Sequence, residues 1–303
     1  MQTVTLVVPL FALIFLGYGL RKTGFFSPAF ASEANRLVYY IALPAMILTE
    51  MLEVSAGELL QPQLVIGLPL VVLATAAVGL AASPLIKRER RGAFTQLCYR
   101  ANFAYFGLPI VSTALGPASL GYIGVIVAVG IIVNTTLTVL LLKLMAPEPD
   151  SSSIAKRLAG VFRNPLIIAV VLGLLASFSD LVIPTILLET LRLIGRTGLP
   201  LILLVIGFSL SFSRLGRSLA LNSAAAFVKL AVMPLIAYTI ATLVFGADGM
   251  LRDVLVLMCA MPTAAASQSF AALFGADEQV TAAGVSLSTL ASMLTIPLWI
   301  AFV

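Results

Sequence analysis

Residues 9–17, PLFALIFLG, have a counterpart 156 residues later in residues 165–173, PLIIAVVLG. The same offset aligns two further pairs of dipeptides: Arg36-Leu37 with Arg192-Leu193, and Leu43-Pro44 with Leu199-Pro200. About five apolar segments occur in each half of the chain, and five is an odd number. Two copies of an odd-numbered unit must enter the membrane in opposite orientations. Such inverted repeats are typical of secondary transporters, in which the binding site lies where the halves meet near the bilayer midplane.

The composition excludes an ordinary soluble domain. Of the 303 residues, 60% are hydrophobic and 10% are charged, whereas soluble domains carry about 25% charged residues. The net charge of +5 comes from basic residues in short loops between apolar segments, a pattern typical of membrane topology and not of a nucleic-acid surface. The chain has no histidine and only two cysteines, Cys98 and Cys259, inside apolar segments. We therefore expect no nucleic-acid partner, no zinc site and no cofactor.

The apolar pattern predicts an all-α polytopic membrane protein with ten transmembrane helices. The first five-helix repeat covers residues 1–146, a cytoplasmic linker covers 147–160, and the second, inverted repeat covers 161–303. The ten predicted spans are 3–20, 35–51, 64–85, 93–115, 120–144, 164–183, 184–212, 219–244, 251–274 and 279–303. By the tenth span the repeat offset has grown from 156 to 160, which indicates a four-residue insertion.

The loop charges predict the orientation, because lysine and arginine are enriched on the cytoplasmic side. With the N-terminus outside, the inner loops carry most of the basic residues: Arg21, Lys22, Lys87, Arg88, Arg90, Arg91, Lys156, Arg157, Arg163, Arg214 and Arg217. The outer loops carry mainly acidic residues: Glu53, Glu58, Asp180, Asp248 and Asp253, with Arg252 as an exception. Both termini are thus predicted to face the outside of the cytoplasmic membrane.

The fourth predicted span contains a buried cation and two helix-weakening residues. Gly107 and Pro109 interrupt the helix, since proline removes a backbone donor. Arg100 follows the basic loop by about nine residues, which places it roughly 13 Å into the bilayer. A charge at that depth costs at least about 2.5 kcal/mol and needs a polar cavity or a partner. Arg100 therefore either binds a substrate carboxylate with its planar guanidinium or has a structural role, snorkelling or pairing within the protein.

The ninth predicted span has a matching break at Pro262, which aligns with Asn102 at the offset of 160. Broken helices at corresponding places in two halves are the best sequence indication of a transport site. The unwound backbone needs hydrogen-bond partners. The polar residues that could provide these partners or bind substrate are Asn102, Thr263, Ser267 and Gln268.

The fifth and tenth spans also carry polar residues, notably Asn134, Ser286, Ser288 and Thr289. Such residues mostly join membrane helices through hydrogen bonds. The alternative is a second layer around the substrate, or a cation site built from hydroxyl and carbonyl oxygens. Sodium coupling therefore stays open. Proton coupling is poorly supported, because the two broken spans offer no aspartate, glutamate or histidine at membrane depth.

The chain resembles the auxin efflux carrier family over essentially its whole length. The residues that carry the resemblance are Pro9-Leu10-Phe11, Leu16-Gly17-Tyr18, Asn35-Arg36-Leu37-Val38, Leu43-Pro44-Ala45, Asn102 and Gly107-Leu108-Pro109. It looks most like the bacterial branch of malonate and organic-anion permeases, and it is similar in fold to bile-acid sodium symporters. It differs from many members at Ala104 and Tyr105, where glycine and asparagine are frequent.

The resemblance implies ten helices in two inverted repeats, with broken helices four and nine crossing each other. It implies a scaffold of helices one, two, six and seven, a mobile core of the other six, and an elevator-like motion. The substrate site would lie beside the crossover, at Asn102 and the breaks Pro109 and Pro262, and we also expect Tyr105 to bind the substrate. A homodimer through the scaffold helices would also fit.

The function predicted from the sequence is the transport of small organic anions, such as carboxylates. A channel or a membrane receptor is the alternative: a channel would conduct without saturation, and a receptor needs no paired helix breaks. An intramembrane enzyme fits poorly, because every aspartate falls in a loop and the chain has no histidine.

Overall fold

The computed structural model describes residues 2–52, 60–145, 163–179, 183–210 and 218–303. This part of the chain is helical, as predicted, and contains no strand. Its α-helices are α1 (Gln2–Lys22), α2 (Pro28–Leu37), α3 (Leu43–Met51), α4 (Pro62–Val65), α5 (Gly67–Ala82), α6 (Arg88–Tyr99), α7 (Leu108–Leu115), α8 (Leu120–Met145), α9 (Pro165–Phe178), α10 (Thr185–Ser209), α11 (Leu219–Phe227), α12 (Met233–Thr239), α13 (Gly249–Cys259), α14 (Ser267–Leu273) and α15 (Glu278–Phe302). The predicted linker 147–160 and several loop charges lie outside the described residues: Glu53, Glu58, Lys156, Arg157, Asp180, Arg214 and Arg217.

Five helical segments of the described chain are long and apolar enough to cross a membrane. They are Pro62–Leu85, Pro117–Met145, Thr185–Ser209, Leu219–Val244 and Glu278–Phe302. Two shorter apolar helices, Phe103–Leu115 and Pro165–Phe178, accompany them. Many large apolar side chains on these helices remain exposed at the protein surface, as lipid-facing residues of a membrane protein do.

Three π-helical turns are each followed by a proline. The turns are Val38–Ala42, Phe103–Gly107 and Val228–Val232, and the prolines are Pro44, Pro109 and Pro234. In each case the residue before the proline donates its N–H to the carbonyl five residues back, as Leu43 does to Val38. Proline has no N–H and its ring clashes with the carbonyl four residues back. The wider turn accommodates that ring while the backbone stays hydrogen-bonded, and such turns are frequent at functional sites.

Helices α1 and α10 cross at very short distance through two glycines. Gly17 lies against the backbone of Leu204, and Gly207 lies against the backbone of Ile14. Small residues permit such close approach between membrane helices. At the end of α1, Arg21 donates from Nη1 to the carbonyl of Leu210 at 2.8 Å, just after the end of α10. The two helices therefore run in the same direction and form a closely packed pair.

Candidate functional site

The two interrupted helices meet at the centre of the protein through their backbones. The first interruption, Arg100–Asn102, separates α6 from the π-helical turn that precedes α7, and the second separates α13 from α14. The N–H of Asn102 donates to the carbonyl of Pro262 at 2.9 Å, and the N–H of Ala264 donates to the carbonyl of Arg100 at 2.8 Å. Ala101 and Thr263 thus form an isolated antiparallel bridge, which we call the crossover.

Polar side chains bind the remaining backbone groups of the crossover. The Thr263 hydroxyl donates to the carbonyl of Leu97 at 3.0 Å, and the N–H of Thr263 donates to the Ser288 hydroxyl at 3.2 Å. The amide of Asn134 donates to the carbonyl of Ala101 at 3.4 Å. These bonds satisfy groups that a broken helix leaves free inside a membrane protein. Asn134 and Ser288 therefore join helices α8 and α15 to the crossover.

Asn102 begins the π-helical turn: its side-chain oxygen accepts a hydrogen bond from the N–H of Tyr105 at 3.1 Å. The interruption thus lies before Gly107 and Pro109, not at these residues as the sequence suggested. Pro109 lies within the continuous helix Phe103–Leu115, where the preceding π-helical turn accommodates its ring. A Cβ at Gly107 would come within 2.7 Å of the sulfur of Met258. Gly107 therefore lets α13 approach the crossover closely.

Arg100 is the buried cation of the site. It is only 6% exposed, and its guanidinium lies over the ring of Phe270, 4.1 Å from the ring centroid. Its Nε and Nη1 atoms are buried and have no hydrogen-bond partner. Among the described residues no carboxylate forms an ion pair with it. A buried charge without partners is costly, so this arrangement favours a ligand that supplies negative charge.

Arg100 faces a cavity of about 350 Å³, which we call the large cavity. It is lined by polar and aromatic residues from several helices: Tyr39, Asn102, Phe103, Tyr105, Asn134, Thr135, Asn164 and Phe270, with smaller apolar neighbours. Among the residues that the structure describes, no acidic side chain lines this cavity. The side-chain oxygen of Asn134 is also buried and unpartnered. The cavity thus offers positive charge, amide groups and aromatic surface to a small ligand.

A second cavity of about 80 Å³, which we call the small cavity, lies beside the crossover. Its lining includes six of the predicted residues, Asn102, Tyr105, Thr263, Gln268, Ser286 and Thr289, and two polar residues that were not predicted, Asn35 and Ser209. Ser267 lines neither cavity, and its buried hydroxyl has no partner. The structure therefore places Arg100 and Asn134 at one cavity and Gln268, Ser286 and Thr289 at the other.

Comparison with known proteins identifies the family of this chain. A family model described as "Membrane transport protein" matches residues 2–300. The chain belongs to this family of membrane transport proteins. An uncharacterized transporter of Methanocaldococcus jannaschii is 26% identical over 298 residues, which is 95% of this chain and 94% of the relative. An uncharacterized transporter of Methanothermobacter thermautotrophicus is 27% identical over 304 residues, at 97% and 96% coverage. The auxin efflux carrier resemblance is thereby confirmed.

The transporter also holds a buried lysine that the sequence analysis missed. Lys229 is fully buried, and its ammonium donates to the carbonyl of Cys259 at 2.7 Å. Cys259 is the last residue of α13, three residues before Pro262. A cation at a helix C-terminus is favourable because the last carbonyls carry partial negative charge. The sequence signal that points to Lys229 is its position as a single lysine within an apolar segment.

Three further residues of the transporter's large cavity were not predicted: Tyr39, Asn164 and Phe270. Tyr39 lies in the π-helical turn after α2, and Asn164 caps the N-terminus of α9 by accepting the N–H of Leu166. No local sequence pattern predicts that these residues lie near Arg100, because they come from distant parts of the chain. Only the packing of the helices brings them together.

Proposed function

We propose that this membrane transport protein is a secondary carrier of small organic anions, such as carboxylates. It binds the anion beside the crossover and moves it across the cytoplasmic membrane by alternating access. In this proposal the chain forms ten transmembrane helices in two inverted repeats, residues 1–146 and 161–303, joined by the cytoplasmic linker 147–160. Both termini then lie outside the cell.

One observation carries the proposal: Arg100, whose buried Nε and Nη1 have no hydrogen-bond partner, lines the large cavity. Guanidinium binds a carboxylate through two parallel hydrogen bonds, and such charge-assisted bonds are the strong ones. A bound carboxylate would supply the negative charge and hydrogen-bond acceptors that the buried guanidinium lacks and offset the cost of the buried charge. Lysine could not replace this arrangement, because an ammonium lacks the planar fork.

The lining of the large cavity also supports alternating access. Arg100 and Asn134 belong to the proposed mobile core, whereas Tyr39 and Asn164 belong to proposed scaffold helices two and six. In transporters with inverted repeats the site usually lies between the two moving parts. A ligand bound there is carried or released when these parts move relative to each other. The closely packed pair of α1 and α10 supports a rigid scaffold, against which an elevator-like core would move.

Binding measurements on Arg100 variants test the substrate class. We expect carboxylates to stabilise the purified wild-type protein against thermal unfolding, and Arg100→Gln to weaken binding about 10- to 150-fold, since a hydrogen bond to a charged group contributes about 1.5–3 kcal/mol. Arg100→Lys should bind with intermediate affinity. The matched control is Arg252→Gln, because Arg252 pairs with Asp253 at 2.8 Å and lines neither cavity. A folded Arg100→Gln variant with wild-type affinity would refute the anion site.

A flux measurement then separates the carrier from a channel. Proteoliposomes loaded with the carboxylate that binds best should exchange it against the labelled anion outside, and the initial rate should saturate with concentration. Flux that rises linearly with concentration and shows no exchange would identify a channel instead. Binding without any flux would favour a receptor.

A further inference from the structure

Tyr105 lies in the wall between the large and the small cavity. The residues that line both cavities are Asn102, Tyr105 and Ala265. Tyr105 has the largest side chain of the three, and Ala265 contributes only a methyl group. Asn102 uses its side-chain oxygen to accept the N–H of Tyr105. The phenol ring of Tyr105 is therefore the main body of this wall.

The ring of Tyr105 is held in place from two sides. Its backbone belongs to the π-helical turn Phe103–Gly107, which Asn102 caps. Its ring packs against the ring of Tyr39 with a centroid distance of 6.0 Å and an interplanar angle of 60°. Edge-to-face aromatic contacts of this kind stabilise a fixed orientation. The capped turn and the contact with Tyr39 thus position the ring of Tyr105.

The two cavities offer different surfaces to a ligand. The large cavity contains Arg100, which the proposed function assigns to the carboxylate. The small cavity is bounded on the α10 side by the apolar residues Ile202, Val205 and Ile206. An anion held by Arg100 can use this apolar surface only if its chain passes the position of Tyr105. The size of the side chain at position 105 therefore decides whether the small cavity belongs to the binding site.

We propose that Tyr105 sets the upper limit on the length of the transported anion. This inference rests on the proposed function, since it takes Arg100 as the anchor of the carboxylate. The tyrosine confines the substrate to the large cavity, so that short anions fit and longer unbranched ones meet the phenol ring. A small side chain at position 105 joins the two cavities and admits an apolar tail against α10.

The experiment measures the affinity of unbranched monocarboxylates from acetate to octanoate for the purified full-length protein. Wild type and Tyr105→Phe, which keeps the ring, should prefer the same short chain length. Tyr105→Ala should prefer a longer chain, with an affinity gain of about fourfold for each methylene group that enters the small cavity. If Tyr105→Ala does not fold, Tyr105→Leu opens the wall while it keeps apolar packing.

A second substitution tests whether the gain comes from the small cavity. Val205 lines the small cavity and not the large one. In the Tyr105→Ala background, Val205→Phe should therefore fill the small cavity and restore the preference for short monocarboxylates. An unchanged chain-length preference in the folded Ala and Leu variants overturns the role of Tyr105 and leaves the anion site intact. An increased affinity for longer monocarboxylates that persists with Val205→Phe also overturns the proposed role of Tyr105. If no carboxylate binds the wild type, the proposed function fails, and this inference fails with it.

Discussion

The close contact between α1 and α10 gives a prediction that has a control on the same helix. A Cβ at Gly17 would lie 2.8 Å from the carbonyl carbon and 2.9 Å from the Cα of Leu204, and the carbonyl oxygen is closer still. Ordinary van der Waals contact of a Cβ begins at 3.4 Å. Gly17→Ala therefore requires α1 and α10 to separate by at least 0.6 Å. The obstacle is backbone, which cannot rotate away as a side chain can.

The size of the effect follows from two opposing terms. Overpacking a tight contact costs about 3 kcal/mol at the upper end of its usual range. Replacing glycine by alanine inside a helix stabilises the helix by up to about 1 kcal/mol. The net loss of about 2 kcal/mol should lower the unfolding temperature by about 4–8 °C. Gly19 lies on the same helix and a Cβ there would have no atom within 4 Å, so Gly19→Ala should raise the unfolding temperature by about 1–4 °C.

The native cysteines provide the assay. Cys98 and Cys259 are buried and unpaired, so a thiol-reactive fluorescent dye reports their exposure as the protein unfolds with temperature. Equal unfolding temperatures for Gly17→Ala, Gly19→Ala and wild type would refute the close packing of α1 against α10. A destabilised Gly19→Ala would show that the register of α1 is wrong.

The crossover, the buried lysine and the topology yield one prediction each. Asn134→Ala removes the bond to the Ala101 carbonyl, so it should cost about 1–3 kcal/mol and lower the unfolding temperature by at least about 2 °C; an unchanged temperature would contradict this. Lys229→Met leaves the buried carbonyl of Cys259 without its ammonium donor, so it should cost about 1–3 kcal/mol and lower the unfolding temperature; an equal or higher temperature would show that the cost of burying the ammonium exceeds this bond. A cysteine at Ser152, in a variant without native cysteines, should resist an impermeant thiol reagent on intact cells, and ready labelling would reverse the proposed orientation.

Hydrophobic patterning and residue chemistry predicted much of the architecture. The helical class follows from long apolar runs. Most described helices lie within a few residues of the predicted spans, whereas α2 begins seven residues before the predicted span 35–51. Ser27 and Asp277 explain two of these shifts, because each caps the helix that follows it. Helix ends depend on such local hydrogen bonds, and a hydropathy pattern does not predict them.

The site was predictable only in part. Arg100 and Asn102 stand out because charge and amide groups are costly within an apolar segment. Pro262 marks the second interruption correctly, whereas Gly107 and Pro109 continue a helix that begins at the π-helical turn. Tyr39 and Asn164 have no local signal, because their role depends on contacts between distant segments. Lys229 does have a local signal, because it is a single cation within a long apolar run.

The π-helical turns change how the helices around the site must be compared with those of relatives. Each turn holds one residue more than the α-helical turn it replaces, so the side chains after it are rotated by about 100° relative to those before it. Residues on the two sides of Phe103–Gly107 therefore do not share one helical phase. A relative that lacks a single residue here would keep its loops unchanged and yet turn a different set of side chains toward the substrate.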